Sequence, residues 1–196
     1  MSLDRETWDR FKRHHREGEL IERELGVHWD DLRFPAVAIN PPGAESDPDV
    51  SSDDGCLLFD AGGTEVIFVA VQFPHCWKMD SAISPHVHWC KTTSASGTVK
   101  WTLSYRWADI GQIFSAWSDA DTATLQISDG DTADQHALSE FSEIVPPANG
   151  VSSMMLVKIS RVGGDDTYAA DAKLLEFDIH YQIDARGSDS EYVKWV

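Results

Sequence analysis

Two stretches of the chain alternate strictly between apolar and polar residues. Val99, Trp101, Leu103, Tyr105 and Trp107 are separated by Lys100, Thr102, Ser104 and Arg106. Leu175, Phe177, Ile179, Tyr181 and Ile183 are separated by Glu176, Asp178, His180 and Gln182. Successive side chains of a strand point to opposite faces, so each run predicts a strand with one buried face. Residues 64–73 and 152–162 predict two more long strands, and residues 56–59, 122–128 and 136–144 shorter ones. Residues 33–39 predict the first strand and residues 190–196 an edge strand. The joint Asp60-Ala61-Gly62-Gly63 reads as a hairpin turn, Gly163-Gly164-Asp165-Asp166 as a second turn, and Ser128-Asp129-Gly130-Asp131 as a third. Residues 40–55, rich in Pro, Gly, Ser and Asp, read as a long exposed loop. Eight to ten strands without helical crossovers predict an all-β fold, an antiparallel β-sandwich of jelly-roll type spanning residues 28–196.

The first 27 residues follow a different period and predict an N-terminal helical arm. Ser2 or Asp4 can cap a helix over residues 2–25, and Glu6 stands in its first turn. Trp8 and Phe11 are three apart, and Leu20, Ile21 and Leu25 repeat at helical spacing, with Gly18 as a break in the polar stretch between. Such a segment cannot bury its own apolar side chains. Trp8, Phe11, Leu20 and Ile21 are therefore interface candidates, lying on the sandwich or on a neighbour. Eight tryptophans are many for one domain of 196 residues. Trp101, Tyr105 and Trp107 share a strand face and read as core, whereas Trp117 and Trp195 fall in loop or terminal settings and read as contact anchors.

The formal net charge of -17 repels phosphate backbones and anionic lipid, so neither nucleic acid nor membrane is an expected partner. No signal-peptide-like or membrane-spanning apolar run is evident, which points to a soluble chain. Cys56, Cys76 and Cys90 are odd in number and widely spaced, as expected of reduced thiols, and no Cys-x-x-Cys pair suggests a zinc ribbon.

The sharpest chemical feature is Pro85-His86-Val87-His88-Trp89. Two histidines at i and i+2 on a strand share a face and can grip one metal ion, as the His-x-His pair of a cupin does. His180, between Glu176, Asp178 and Gln182 on the polar face of another strand, can complete such a set. The residues after His88 are Cys90, Lys91, Thr92 and Thr93, without the glutamate of the cupin pattern, and no Pro-x-Gly second motif follows. The expectation is therefore no metal and no cofactor, with His86 and His88 in a polar network or a subunit contact. His75 and Cys76 are adjacent and point apart on a strand. No Gly-x-Ser-x-Gly elbow or phosphate-cradling loop is present. Asp119-Ala120-Asp121 and Asp129-Gly130-Asp131 do not match a calcium loop. No catalytic residue is expected.

Several strings resemble a widespread family of tailed-phage and prophage virion proteins. They are Trp29-Asp30-Asp31-Leu32-Arg33-Phe34-Pro35, Phe73-Pro74-His75-Cys76-Trp77-Lys78, Ile83-Ser84-Pro85-His86-Val87-His88-Trp89, and the run from Trp101 to Gly111. Gly164-Asp165-Asp166-Thr167-Tyr168 and the run from Leu174 to Asp184 complete the likeness, which covers residues 28–194. The resemblance implies a non-enzymatic virion structural role and supplies no catalytic residue. Within a virion, a compact sandwich with a reaching arm suits an outer capsid decoration or cement protein. Such a protein is expected to be a homotrimer that contacts the major capsid protein or other virion proteins. The rival readings are a tail, collar or fibre component and a cupin-like metalloenzyme using His86, His88 and His180.

Overall fold

A computed structural model describes residues 28–43, 46–119, 121–127, 132–146, 150–184 and 187–194. The predicted helical arm, with Trp8, Phe11, Leu20 and Ile21, lies outside the described residues, as do Trp195 and the Asp129–Asp131 triplet.

Among the described residues ten antiparallel strands form two sheets: β1 (His28–Pro35), β2 (Asp49–Val50), β3 (Leu57–Phe59), β4 (Thr64–Gln72), β5 (Ile83–Lys91), β6 (Gly97–Ala108), β7 (Asp121–Ile127), β8 (His136–Glu140), β9 (Met154–Val162) and β10 (Ala172–Ile183). One sheet runs β2-β3-β10-β5-β8, with β1 also on β10, and the other runs β4-β9-β6-β7. The orders β3-β10-β5-β8 and β4-β9-β6-β7 place sequence neighbours in opposite sheets, except for the adjacent pair β6 and β7, the pairing of a jelly roll.

Alternation explains the packing. Ile67, Val71, Val99, Trp101, Met155, Val157 and Ile159 from one sheet meet Ile83, Val87, Trp89, Leu174, Phe177 and Ile179 from the other, and all are fully buried. Each such side chain contributes about 1.5–3 kcal/mol of burial. Aromatic rings interlock in the core: Phe59 of one sheet lies edge-on to Trp101 of the other at 5.0 Å, and Phe73, just past the end of β4, stacks on Trp107 of β6 at 4.7 Å. Trp101 and Trp107 are core as expected, while Tyr105 is only partly buried.

Several boundaries differ from expectation. The first strand is displaced toward the N-terminus: β1 begins at His28, and the chain turns through a 3-10 segment, Ala36–Ala38, instead of staying extended to residue 39. Burial of Ala36 and the bond from Ile39 N–H to Ala36 O, 3.0 Å, fix that turn. The Asp60–Gly63 joint is no hairpin, because β3 and β4 belong to different sheets. It is a crossing between layers, held by Gly163 N–H donating to Gly63 O at 3.0 Å. Residues 136–144 form a strand only to Glu140, after which Ile144 makes an isolated bridge to Ile83. Residues 190–194 form no strand; Lys194 instead pairs with Asp184 at 2.7 Å. Strict alternation in β10 also fails at one point. A bulge between Leu174 and Glu176 makes Leu175 an extra residue, so Leu174 and Phe177 are both buried and Leu175 is not.

Arg161 continues the inward row of Met155, Val157 and Ile159 and is itself fully buried. Its guanidinium donates to both carboxylate oxygens of Asp166 (2.8 and 3.1 Å) and to the carbonyls of Phe59, Ala170 and Tyr168 at 2.6–2.8 Å. This one side chain ties β9 to the end of β3 and to the segment leading into β10.

Candidate functional site

The six-stranded sheet turns its polar rows outward, and cross-strand register decides which polar residues meet. Asp178 of β10 stands between His86 of β5 and Arg33 of β1, and Glu176 lies opposite His88. On the far side of β5, His86 faces Glu140 of β8, and Cys90 faces His136. Four of the chain's eight histidines thus gather on one face: His86, His88, His136 and His180.

His86 Nε2 is 3.9 Å and His88 Nε2 is 3.6 Å from Asp178 Oδ2. One ligand-capable atom from each of the three residues lies within 4.8 Å of the others. The Nδ1 atoms are engaged elsewhere: that of His86 with Ser84 O at 3.3 Å, and that of His88 with His136 Nε2 at 2.7 Å. The ring of His180 is 4.5 Å from that of His86, but its Nε2 pairs with Asp31 Oδ1 at 2.9 Å. The structure therefore assembles the three histidines singled out from the sequence, with His180 turned to a different partner. It adds His136, Asp31 and Arg33, which pattern alone did not bring in. A His on β8 could have been suspected only once the β5–β8 register was known.

Although they stand on an outer face, His86 and Asp178 are 5% and 4% exposed. Burial, then the neighbouring charge of Glu176, pushes the Asp178 carboxyl up to about 6. Burial lowers both His86 and His88, reinforced by the other histidines. Asp178 Oδ1 and Glu176 Oε1 are buried without a hydrogen-bond partner among the described residues. Arg33 binds the other Glu176 oxygen at 2.7 Å and holds its Nε 4.0 Å from Asp178. Beside these groups an open depression of about 410 Å³ is lined by Arg33, His88, His136, Leu175 and Asp178. A second, of about 210 Å³, lies on the other side of His86, against Glu140 and His180. In a cupin-like site the pair would face into the barrel; here that space is filled by Val87, Trp89 and their neighbours.

The outer face of the four-stranded sheet differs in character. Phe68 of β4 and Trp117 are 48% and 40% exposed, with ring centroids 6.2 Å apart. The Arg106 guanidinium lies over both Phe114 (5.2 Å) and Trp117 (5.1 Å). Residues 109–119 are strapped along β6 by Ser115 N–H to Trp107 O and Ser118 N–H to Tyr105 O, at 3.0 and 2.8 Å. Trp117 is thus a presented side chain on a tied loop. Ile113, on the same loop, is 94% exposed.

His75 and Cys76 lie in a turn beyond β4 and not on a strand as expected, and their side chains meet different partners, Cys76 Sγ lying 3.8 Å from the Tyr181 hydroxyl. His75 Nε2 meets Ser152 Oγ at 2.8 Å and its Nδ1 meets Ser188 O at 2.6 Å. Glu191 accepts from the same Ser152 hydroxyl at 2.5 Å. These bonds fasten residues 188–191 to the sandwich, and Ser152 is buried beneath them.

No family model and no curated protein matches the chain. Among solved structures it is similar to dimeric latent PorU from Porphyromonas gingivalis (10% identity, TM-score 0.36, 81% of this chain and 13% of that one). It is also similar to the isomalto-dextranase of Arthrobacter globiformis T6 (14%, 0.40, 76% and 23%). A third similar structure is that of infectious bursal disease virus, Gx strain (14%, 0.37, 81% and 34%). The chain spans about a third or less of each of these proteins.

Proposed function

We propose that this chain is a non-enzymatic structural component of a tailed-phage particle, an outer capsid decoration protein that stabilises the head through protein contacts. The observation that carries the reading is the Phe68–Trp117–Arg106 group on the outer face of the four-stranded sheet. Aromatic and arginine side chains half open to water on a rigid sheet have the composition of an interface hot spot. The resemblance of residues 28–194 to virion proteins supports it, and so does a filled sandwich interior, which leaves the outer faces and loops for partners. In this reading the sandwich associates as a homotrimer, the capsid protein covers the Trp117 face, and residues 2–25 reach across to a neighbour. The net charge of -17 suits the outer surface and not a DNA-lined interior.

The test is antibody labelling of intact particles, paired with binding of purified protein to undecorated heads. Label spread over the head, together with a loss of about tenfold or more in binding for Trp117→Ala, is the expected result. Label confined to the tail replaces decoration with a tail or fibre role. Absence of the protein from purified particles overturns the virion reading altogether.

A further inference from the structure

We propose that His86, His88 and Asp178 bind one divalent cation of the zinc class, clipping β5 to β10 on the outer face of the six-stranded sheet. The donor set of two imidazoles and one carboxylate is a recurrent one for zinc and similar ions. Ligands about 2.0–2.2 Å from a tetrahedral ion lie about 3.3–3.6 Å from one another. The two nitrogen-to-oxygen separations, 3.6 and 3.9 Å, are close to that spacing and too long for hydrogen bonds. All three ligand atoms lie within 4.8 Å of one another, so closing on one ion requires the two imidazoles to draw in toward Asp178.

The second shell is already set. With the ring proton on Nδ1, His86 donates to Ser84 O and His88 donates to His136 Nε2. Both Nε2 lone pairs are then left facing Asp178, the arrangement that orients metal-bound histidines. Without a cation, two lone pairs and a carboxylate confront one another, and Asp178 Oδ1 is buried with no partner among the described residues. Four carboxylates, Asp31, Glu140, Glu176 and Asp178, surround the cluster against one guanidinium, Arg33, so the local field attracts a cation. Arg33 opposes binding, but its side chain is 65% exposed and held mainly by Glu176, and can turn to water. The depression beside His88 leaves the remaining coordination position to water or to a partner's side chain.

The test uses the full chain, stripped with chelator and titrated with zinc chloride by calorimetry, then with cobalt(II) to read the absorption of a four-coordinate site. Saturable 1:1 binding with Kd below about 100 µM is expected. H86A, H88A and D178N should each weaken it by at least about tenfold, while H28A changes it by no more than about twofold. Should a variant fail to fold, nitrogen NMR of the wild-type imidazoles decides: zinc shifts Nε2 of His86 and His88 and leaves His28 and His75 unmoved. Weaker binding, binding indifferent to all three substitutions, or shifts confined to other histidines overturns the proposal.

Discussion

Replacing Arg161 with methionine is expected to be the most damaging single change in the core, although methionine is the more hydrophobic residue. The guanidinium makes five hydrogen bonds, two to Asp166 and three to backbone carbonyls. Both partners of the ion pair are sealed, with side chains 0% and 1% exposed. Removing one member of a buried pair costs about 3–5 kcal/mol, because the other charge stays desolvated and alone. The three carbonyls lose their donors at about 1 kcal/mol or more apiece unless water enters. Methionine keeps most of the stem's packing, and water admitted beside the shorter polar-free side chain re-satisfies the carbonyls, so the stranded charge dominates and the net loss should be about 4 kcal/mol, from a domain whose whole stability is of order 5–15 kcal/mol. Urea denaturation reads this directly: with m near 2 kcal/mol/M, the midpoint falls by about 2 M while m stays constant. The double variant Arg161→Met/Asp166→Leu should recover part of the loss, since no charge is then stranded. A loss below about 1 kcal/mol for the single variant, or a double variant no better than the sum of its parts, would refute the argument.

Two further outcomes follow from close contacts and burial. A Cβ at position 163 would stand 2.3 Å from Ala61 O, so Gly163→Ala must push apart the crossing from β3 to β4 and should cost about 1–3 kcal/mol in the same denaturation assay; an unchanged midpoint would contradict it. Burial pushes the Cys90 thiol up to about 11, so in the native protein at pH 8 it should react with iodoacetamide far more slowly than after unfolding in urea, as followed by peptide mass spectrometry.

Alternation made the two-sheet fold readable, because β6 and β10 carry their apolar residues at period two and little else competes for that signal. It also put His86 and His88 on one face and His180 on the polar face of β10. It could not say that β10 lies beside β5, since those strands are separated by four others in the chain; only the pairing of Asp178 with His86 turns two separate motifs into one cluster. The absence of a cupin glutamate argued against a metal from the sequence, but that test presumes a site inside the barrel. The carboxylate here comes from a different strand, on the outside. Arg161 was passed over for a related reason. Its place in the inward row of β9 was visible, yet a charge in that row makes sense only with Asp166 and three converging carbonyls beside it.

Leu175 offers the sharpest check on register, because parity makes opposite demands on two deletions in one strand. Leu174 pairs with Trp89 and Glu176 with His88, so Leu175 is the residue that the β5 ladder skips. It also falls between the part of β10 that pairs with β3, which ends at Leu174, and the part that pairs with β1, which begins at Glu176. Deleting Leu175 should therefore leave every later pair in place, with Phe177 still inside and Asp178 still against His86. The loss is that of one half-buried leucine, about 1–2 kcal/mol. Deleting Ile179 instead moves Tyr181 to the outer face and His180 into the core, because a one-residue slip inverts all that follows. That protein should fail to fold, or should melt without a cooperative transition. Circular dichroism and urea titration of the two deletions side by side decide the matter. If loss of Leu175 proves as destructive as loss of Ile179, the bulge is no spare residue, and the register that sets Asp178 beside the histidines is wrong.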